Sequence, residues 1–99
     1  MTQGNLFENL VFSSKGPDAK PLAQTAKYKI MRIVLGKGAQ IPPHEANHSA
    51  FFLVLKGRAI ITNGDEKVEL GQDQFIAMEA NKMRGIQALE DLVILGVRD

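Results

Sequence analysis

The sequence predicts an all-β protein whose strands run antiparallel. About eight short apolar runs are separated by turn residues, and no segment shows the 3.6-residue periodicity of a helix. The connections are also too short for the crossovers that parallel strands require. Since 99 residues bury a single core, we expect one domain over residues 1–99, folded as a sandwich or barrel.

The N-terminal quarter is expected to form a strand and a loop. NLFENLVF at residues 5–12 is apolar enough for a strand, whereas residues 13–26 are polar and rich in glycine and proline. An apolar edge strand would be a liability if left exposed, so we expect residues 1–25 to contact a second copy in a homodimer. Residues 27–35 then alternate charged and apolar side chains, which is typical of a strand with one solvent-exposed face.

The rest of the chain continues this pattern of strands and turns. Pro42-Pro43 favours extended backbone over residues 39–49. Asn63-Gly64 lies between two β-prone runs and predicts a hairpin with a type I′ turn. The remaining strands are predicted at residues 50–57, 58–62, 67–70, 75–78, 84–89 and 92–98.

Composition excludes several classes of function. The formal charge is +1 and the basic residues are scattered, so we expect no nucleic-acid partner. No cysteine is present, which excludes disulfides, thiolate metal sites and a cysteine nucleophile, and which fits the cytoplasm. We see no signal peptide and no apolar run long enough to cross a bilayer, so we expect no membrane association.

Residues 44–48 read HEANH and match the H-E-x-x-H signature of zinc peptidases. That signature needs a helix, in which four residues advance about 6 Å and both imidazoles reach one ion. In a strand the same residues advance about 13 Å. Because two prolines precede the stretch and a β-prone run follows it, we do not expect a zinc-peptidase site.

Residues 28–98 resemble a small single-domain cupin with a degenerate metal-binding motif. Gly38, five residues and His44 open the first cupin motif, and Gly57 closes it. Residues 73–85 follow the spacing of the second motif, with Asn81 in its Gly/Asn position. The resemblance implies an antiparallel jelly-roll barrel, also called a double-stranded β-helix, with about eight or more short strands.

The resemblance also implies where a metal would bind. Metal-binding cupins use two histidines and a glutamate from the first motif and a histidine from the second. The matching positions hold His44, Ala46, Ala50 and Arg84, so one ligand of four is kept. We therefore expect no cofactor, and if a divalent metal binds at all, His44 and His48 are the candidate ligands.

We interpret the chain as a metal-free or weakly metal-binding protein that holds a small, anionic molecule inside the barrel. The resemblance points His44 and Arg84 into the interior, and a guanidinium suits a carboxylate. Phe52 and Tyr28 are the further candidate ligand-binding residues. Catalytic residues are not identified, and whether the protein is an enzyme stays open.

Other interpretations remain. His44 is equally suited to a structural bond with a backbone carbonyl, and Arg84 to an ion pair with Glu79, Glu45 or Asp73. The chain could instead be a metal-dependent dioxygenase or isomerase that uses His44 and His48. A third alternative is a structural homodimer without a ligand.

Overall fold

A computed structural model describes all 99 residues as nine antiparallel strands in two sheets, without a helix. This confirms the all-β antiparallel prediction. The strands are β1 (Asp18–Gln24), β2 (Lys29–Leu35), β3 (Gln40–Ala46), β4 (Ala50–Lys56), β5 (Ala59–Asn63), β6 (Glu66–Leu70), β7 (Phe75–Met78), β8 (Lys82–Ala88) and β9 (Leu92–Arg98). The structure contains no helix of the length and apolarity needed to span a membrane.

The two sheets enclose one hydrophobic core. The first sheet has the order β1-β2-β9-β4-β7 and the second the order β3-β8-β5-β6. Alternate side chains of each strand point between the sheets, as pleated strands require. The largest fully buried core side chains are Leu35, Val54, Ile61, Leu92 and Ile94.

Both strands that contain proline lie at a sheet edge. β1 carries Pro21 and pairs only with β2, and β3 carries Pro42-Pro43 and pairs only with β8. The register shifts just after Pro21 and across the proline pair. Proline donates no hydrogen bond to a ladder, so it is tolerated at edges and bulges. The prediction of a loop through residues 13–26 was therefore wrong. Because an edge strand tolerates proline, β1 forms at Asp18–Gln24 despite Pro21.

The strand predicted at residues 5–12 is not formed. These residues make turns that lie over the outer face of the first sheet. The Arg32 guanidinium donates to the carbonyls of Leu6 at 3.2 Å and Glu8 at 2.7 Å, and the Gly36 N–H donates to Ser13 O at 2.9 Å. The segment is therefore held by the buried Arg32 beneath it. Leu6, Leu10 and Phe12 are partly buried, whereas Phe7 and Val11 remain exposed.

The hairpin between β5 and β6 is present, with a turn that differs from the predicted one. Asn63 pairs with Glu66, so the central residues are Gly64 and Asp65. Of these only Gly64 has positive φ, at 65°. This is the pattern of a type II′ turn, with glycine in the first central position, and not of type I′.

Four sharp turns adopt backbone conformations with positive φ. The values are 88° at Gly38, 90° at Gly57, 67° at Asp73 and 67° at Asn81. Gly38, Gly57 and Asn81 are the motif positions named above, and Asp73 replaces the glycine that opens the second motif. Glycine adopts this region without strain, and Asp and Asn tolerate it better than other residues. The backbone conformation at these four motif positions is therefore kept.

Gly57 and Gly38 provide a matched pair for testing this constraint. Both have φ near 90°, but a Cβ on Gly57 would lie 2.2 Å from Asp91 O, whereas one on Gly38 meets nothing within 4 Å. We expect Gly38→Ala to cost about 1–2 kcal/mol from backbone strain. Gly57→Ala should cost a further ~1–3 kcal/mol from the clash. Urea denaturation of both variants measures this, and equal losses would contradict it.

Candidate functional site

A cavity of about 340 Å³ opens at one end of the space between the sheets. Strands β2, β3, β4, β8 and β9 contribute its lining. Its walls are mostly apolar, formed by Met31, Ile33, Ile41, Phe52, Ile86 and Val97. Four polar side chains also line it, namely His44, His48, Arg84 and Arg98. An apolar chamber with a few convergent polar groups is the usual form of a small-molecule site.

His44 and Arg84 face each other across the β3–β8 ladder, where they are direct register partners. Both line the cavity, so the structure brings these two candidate residues together. Side chains opposite each other on a ladder have Cβ atoms about 5 Å apart. The pairing therefore places an imidazole and a guanidinium at the same level of the barrel.

Arg84 is buried without an acidic partner. Only 7% of its surface is exposed, and its Nη2 donates to His48 O at 2.8 Å and Glu79 O at 3.3 Å. Its Nε–H is buried and has no acceptor. The ion pairs of the structure, Arg58–Glu69 and Lys82–Glu79, do not involve it. The expected alternative, an ion pair of Arg84 with a nearby carboxylate, is therefore not formed.

Burial also acts on the ionisation of Arg84. Desolvation lowers the pKa of its guanidinium, and the negative charge of Asp99 opposes that shift. Desolvation of a cation disfavours its charged form, and the charge of Asp99 offsets this effect only in part.

His44 lies at the cavity mouth and is exposed. Its Nδ1 is 3.2 Å from Pro42 O. Because a carbonyl oxygen only accepts, this contact places the proton on Nδ1 and leaves the Nε2 lone pair free. The predicted structural bond of His44 to a backbone carbonyl is thus present, and it also orients the ring.

His48 reaches the same cavity because the chain bends between β3 and β4. HEANH occupies the end of β3 and that bend, so the helical geometry of a zinc peptidase is absent. The Nε2 of His48 is 3.1 Å from Nη1 of Arg98. Since arginine only donates, this imidazole nitrogen accepts, and its lone pair is already used.

Arg98 is a cavity residue that was not predicted from the sequence. It ends the strand predicted at residues 92–98, and its side chain shares the inward face of β9 with Leu92 and Ile94. Extending that alternation through Gly96 to residue 98 would have found it.

Phe52 and Tyr28, the other candidate ligand-binding residues, lie in different parts of the structure. Phe52 lines the cavity as expected. Tyr28 is 42% exposed and lines a separate, shallow depression with Phe51, so it does not join the predicted site.

The side chains present do not fit the metal site that the cupin resemblance implies. Ala46 and Ala50 are buried and line the cavity at two of the ligand positions, and Arg84 occupies a third. No group of three or more His, Asp or Glu side chains is close enough together to hold an ion. Two guanidinium groups on the same cavity would also repel a cation.

Hydrogen bonds between Ser49 and Asp99 join the start of β4 to the end of β9, next to the cavity residues His48 and Arg98. The Asp99 carboxylate accepts from the Ser49 N–H at 3.0 Å and from Ser49 Oγ at 2.8 Å. The hydroxyl bond is the main reason that the pKa of Asp99 lies below its usual range, and the hydrogen bond from the Ser49 N–H acts in the same direction.

Comparison with known proteins identifies the family of this fold. Residues 31–95 match the family model for the cupin domain. A conserved protein of unknown function from Streptococcus pyogenes superposes with a TM-score of 0.85 at 25% identity, over 97% of this chain and 84% of that one. An RmlC-like cupin from Desulfovibrio desulfuricans gives 0.87 at 20% identity, over 99% and 95%.

A third structure carries the same architecture. It is an RmlC-like cupin with a double-stranded β-helix fold from Methanocaldococcus jannaschii, with a TM-score of 0.77 at 22% identity over 94% of this chain and 84% of that one. No curated protein matched the chain. The predicted double-stranded β-helix is therefore confirmed.

The Ser49–Asp99 contact predicts that part of the folding stability is lost in acid. Because the folded pKa of Asp99 is depressed, its contribution to stability is complete above the unfolded value of 3.8 and is lost as pH falls through the lower folded value. Wild type should unfold at a higher temperature than Asp99→Asn at neutral pH, and the two should converge in strong acid. Thermal melts across this range test the convergence.

Ser49→Ala serves as the control for the cause of the shift. Without the hydroxyl, the Asp99 carboxyl should titrate at higher pH, nearer its ordinary value. An NMR titration that gives the same Asp99 pKa in wild type and Ser49→Ala would contradict this.

Proposed function

We propose that this chain, which belongs to the cupin family, binds a small carboxylate in its barrel interior without a metal ion. The observation that carries the proposal is the buried Arg84 guanidinium, which lines the cavity and has no acidic partner in the chain. A carboxylate ligand would supply the missing charge.

The energetics of burial support a ligand at Arg84. An unpaired buried charge costs several kcal/mol even after the surrounding structure relaxes. The bonds from Nη2 to two backbone carbonyls offset only part of this cost, because carbonyls carry no net charge. A carboxylate on the cavity side would pair with the charge and is the group that a guanidinium binds best.

His44 is suited to orient the rest of the ligand. Its Nδ1–H is occupied by Pro42 O, so the free Nε2 can accept a hydrogen bond from a ligand hydroxyl or amine. The apolar walls then favour a small hydrocarbon body, and the alanines at positions 46 and 50 leave room for it.

The lining gives less support to the enzymatic alternatives. It includes no Ser, Thr, Cys, Asp or Glu, so it offers no nucleophile paired with a base and no carboxylate for acid–base chemistry. The metal-dependent alternative through His44 and His48 has little support, because alanines and an arginine hold the other ligand positions. The expected cytoplasmic location and the lack of nucleic-acid and membrane partners stay predictions.

A homodimer is also proposed, through a surface other than the predicted N-terminal strand. Phe51 and Phe75 stack on the outer face of the first sheet with ring centroids 5.3 Å apart, and Phe75 is 62% exposed. Phe75 lies on β7, which is an edge strand with unpaired backbone groups. Exposed aromatic surface beside an open edge is suited to pair with a second copy.

Binding of propionate to wild type, Arg84→Met and Arg58→Met tests the carboxylate proposal. We expect Arg84→Met to weaken binding by about 10- to 100-fold, because a hydrogen-bonded charge contributes roughly 1.5–3 kcal/mol. Arg58→Met should bind as wild type does, since Arg58 pairs with Glu69 on the surface. NMR chemical-shift titration suits such weak ligands, with propionamide as the uncharged control.

Stability measurements accompany this test. Replacing an unpaired buried charge by an apolar side chain is often neutral or stabilising, so Arg84→Met should unfold at no lower urea concentration than wild type. Equal propionate affinity in wild type and folded Arg84→Met would refute the proposed role of Arg84.

The dimer surface is tested by the mass in solution. Wild type should have about twice the 10.9 kDa mass of the chain in light scattering, and Phe75→Lys should shift it toward the monomer. Val68→Lys is the matched control, because Val68 is also exposed but lies on β6, the edge of the other sheet. A monomeric wild type would rule the dimer out.

A further inference from the structure

We infer that the cavity selects a ligand with two separate carboxylates, a short dicarboxylate, and that Arg98 binds the second one. The inference rests on the proposed binding of a first carboxylate by Arg84. It adds a specificity-determining residue and narrows the class of ligand from any small carboxylate to a dianion.

Arg98 is a second cationic group on the cavity without an acidic partner. It is half-buried at the end of β9 and takes part in neither ion pair of the structure. Its hydrogen bonds, to His48 Nε2 at 3.1 Å and to Asp99 O at 3.5 Å, both come from Nη1. A guanidinium has five N–H donors, so the donors on Nη2 and Nε remain for a ligand.

The acidic groups of the chain do not balance these two charges. The cavity lining contains no carboxylate. The neighbouring Asp99 contributes one negative charge, which acts on Arg84, and its two oxygens accept hydrogen bonds from Ser49. Two guanidinium groups beside one carboxylate therefore leave a net positive charge that a ligand can match.

The two guanidinium groups contact different parts of one residue. Both bond to His48, Arg84 through the backbone carbonyl and Arg98 through the ring. A ligand with two carboxylates joined by a short linker could therefore pair one carboxylate with each guanidinium. The apolar walls suit a hydrocarbon linker between those groups.

Succinate and succinamate form the decisive ligand pair, because they differ only in replacing one carboxylate by a neutral amide. Wild type should bind succinate about 10- to 100-fold more tightly, the contribution of one charge-assisted contact. Arg98→Met should abolish this preference while leaving succinamate affinity within about twofold of wild type, since Arg84 still binds the remaining carboxylate. Arg58→Met should keep the full preference, because Arg58 is exposed, pairs with Glu69 and does not line the cavity.

The outcomes separate the two proposals. Equal binding of succinate and succinamate by wild type would overturn the role of Arg98 and leave the carboxylate proposal standing, whereas no binding of either would overturn both. Tighter binding of methyl phosphate than of succinate would overturn the dicarboxylate class.

If Arg98→Met does not fold, Arg98→Lys replaces it. A preference for succinate over succinamate that is several-fold below that of wild type supports the inference, and an unchanged preference refutes it.

Discussion

The side-chain alternation along β8 and β9 determines both the stability and the chemistry of this barrel. On β8 the inward face runs from Ala88 and Ile86 in the core to Arg84 in the cavity. On β9 it runs from Leu92 and Ile94 to Arg98. Since the period is two residues, a slip of one residue would turn the core outward and remove both arginines from the interior. The register that buries the core therefore also places the charges.

The hydrophobic core at one end of the barrel stabilises the fold that holds the polar cavity at the other end. Fully buried aliphatic side chains fill the space between the sheets at the closed end, and this burial is the main source of folding free energy. At the open end, Arg84 is held by two carbonyls and retains a buried N–H without an acceptor. Arg32 is buried in the same way, with two carbonyl acceptors and an Nε–H without a partner, but it lies beneath the N-terminal segment. Arg84 differs because it lines a cavity that a ligand can enter.

Most of the fold could be predicted from the sequence because its strands are locally encoded. Alternation and turn residues gave seven strands from β2 onward close to their observed bounds, together with extended backbone through the proline pair of β3. The N-terminal quarter was predicted wrongly because its structure depends on distant residues. An apolar run there covers a sheet face that carries Arg32, and a proline-containing segment pairs at an edge, and neither fact is visible locally.

The candidate site was predictable to a smaller extent. Motif spacing found the ladder partners His44 and Arg84, because the spacing reflects strand positions that the fold keeps. It did not find Arg98, which lies outside both motifs, and it gave no position for Tyr28, whose surroundings depend on how β2 meets β4 and β9. The bend that brings His48 to the cavity depends on three residues between strands, and no periodicity constrains those residues.

The contrast between backbone and ligand positions shows how this barrel can change its chemistry. Gly38, Gly57, Asp73 and Asn81 all retain positive φ, because most other residues would strain the turns that set the strands in register. The positions that would hold a metal face no such constraint, since an alanine or an arginine fits the same strand geometry as a histidine. With the alanines creating space and the arginines supplying charge, the interior that this fold can use to coordinate a cation has instead the size and the electrostatics to bind an anion.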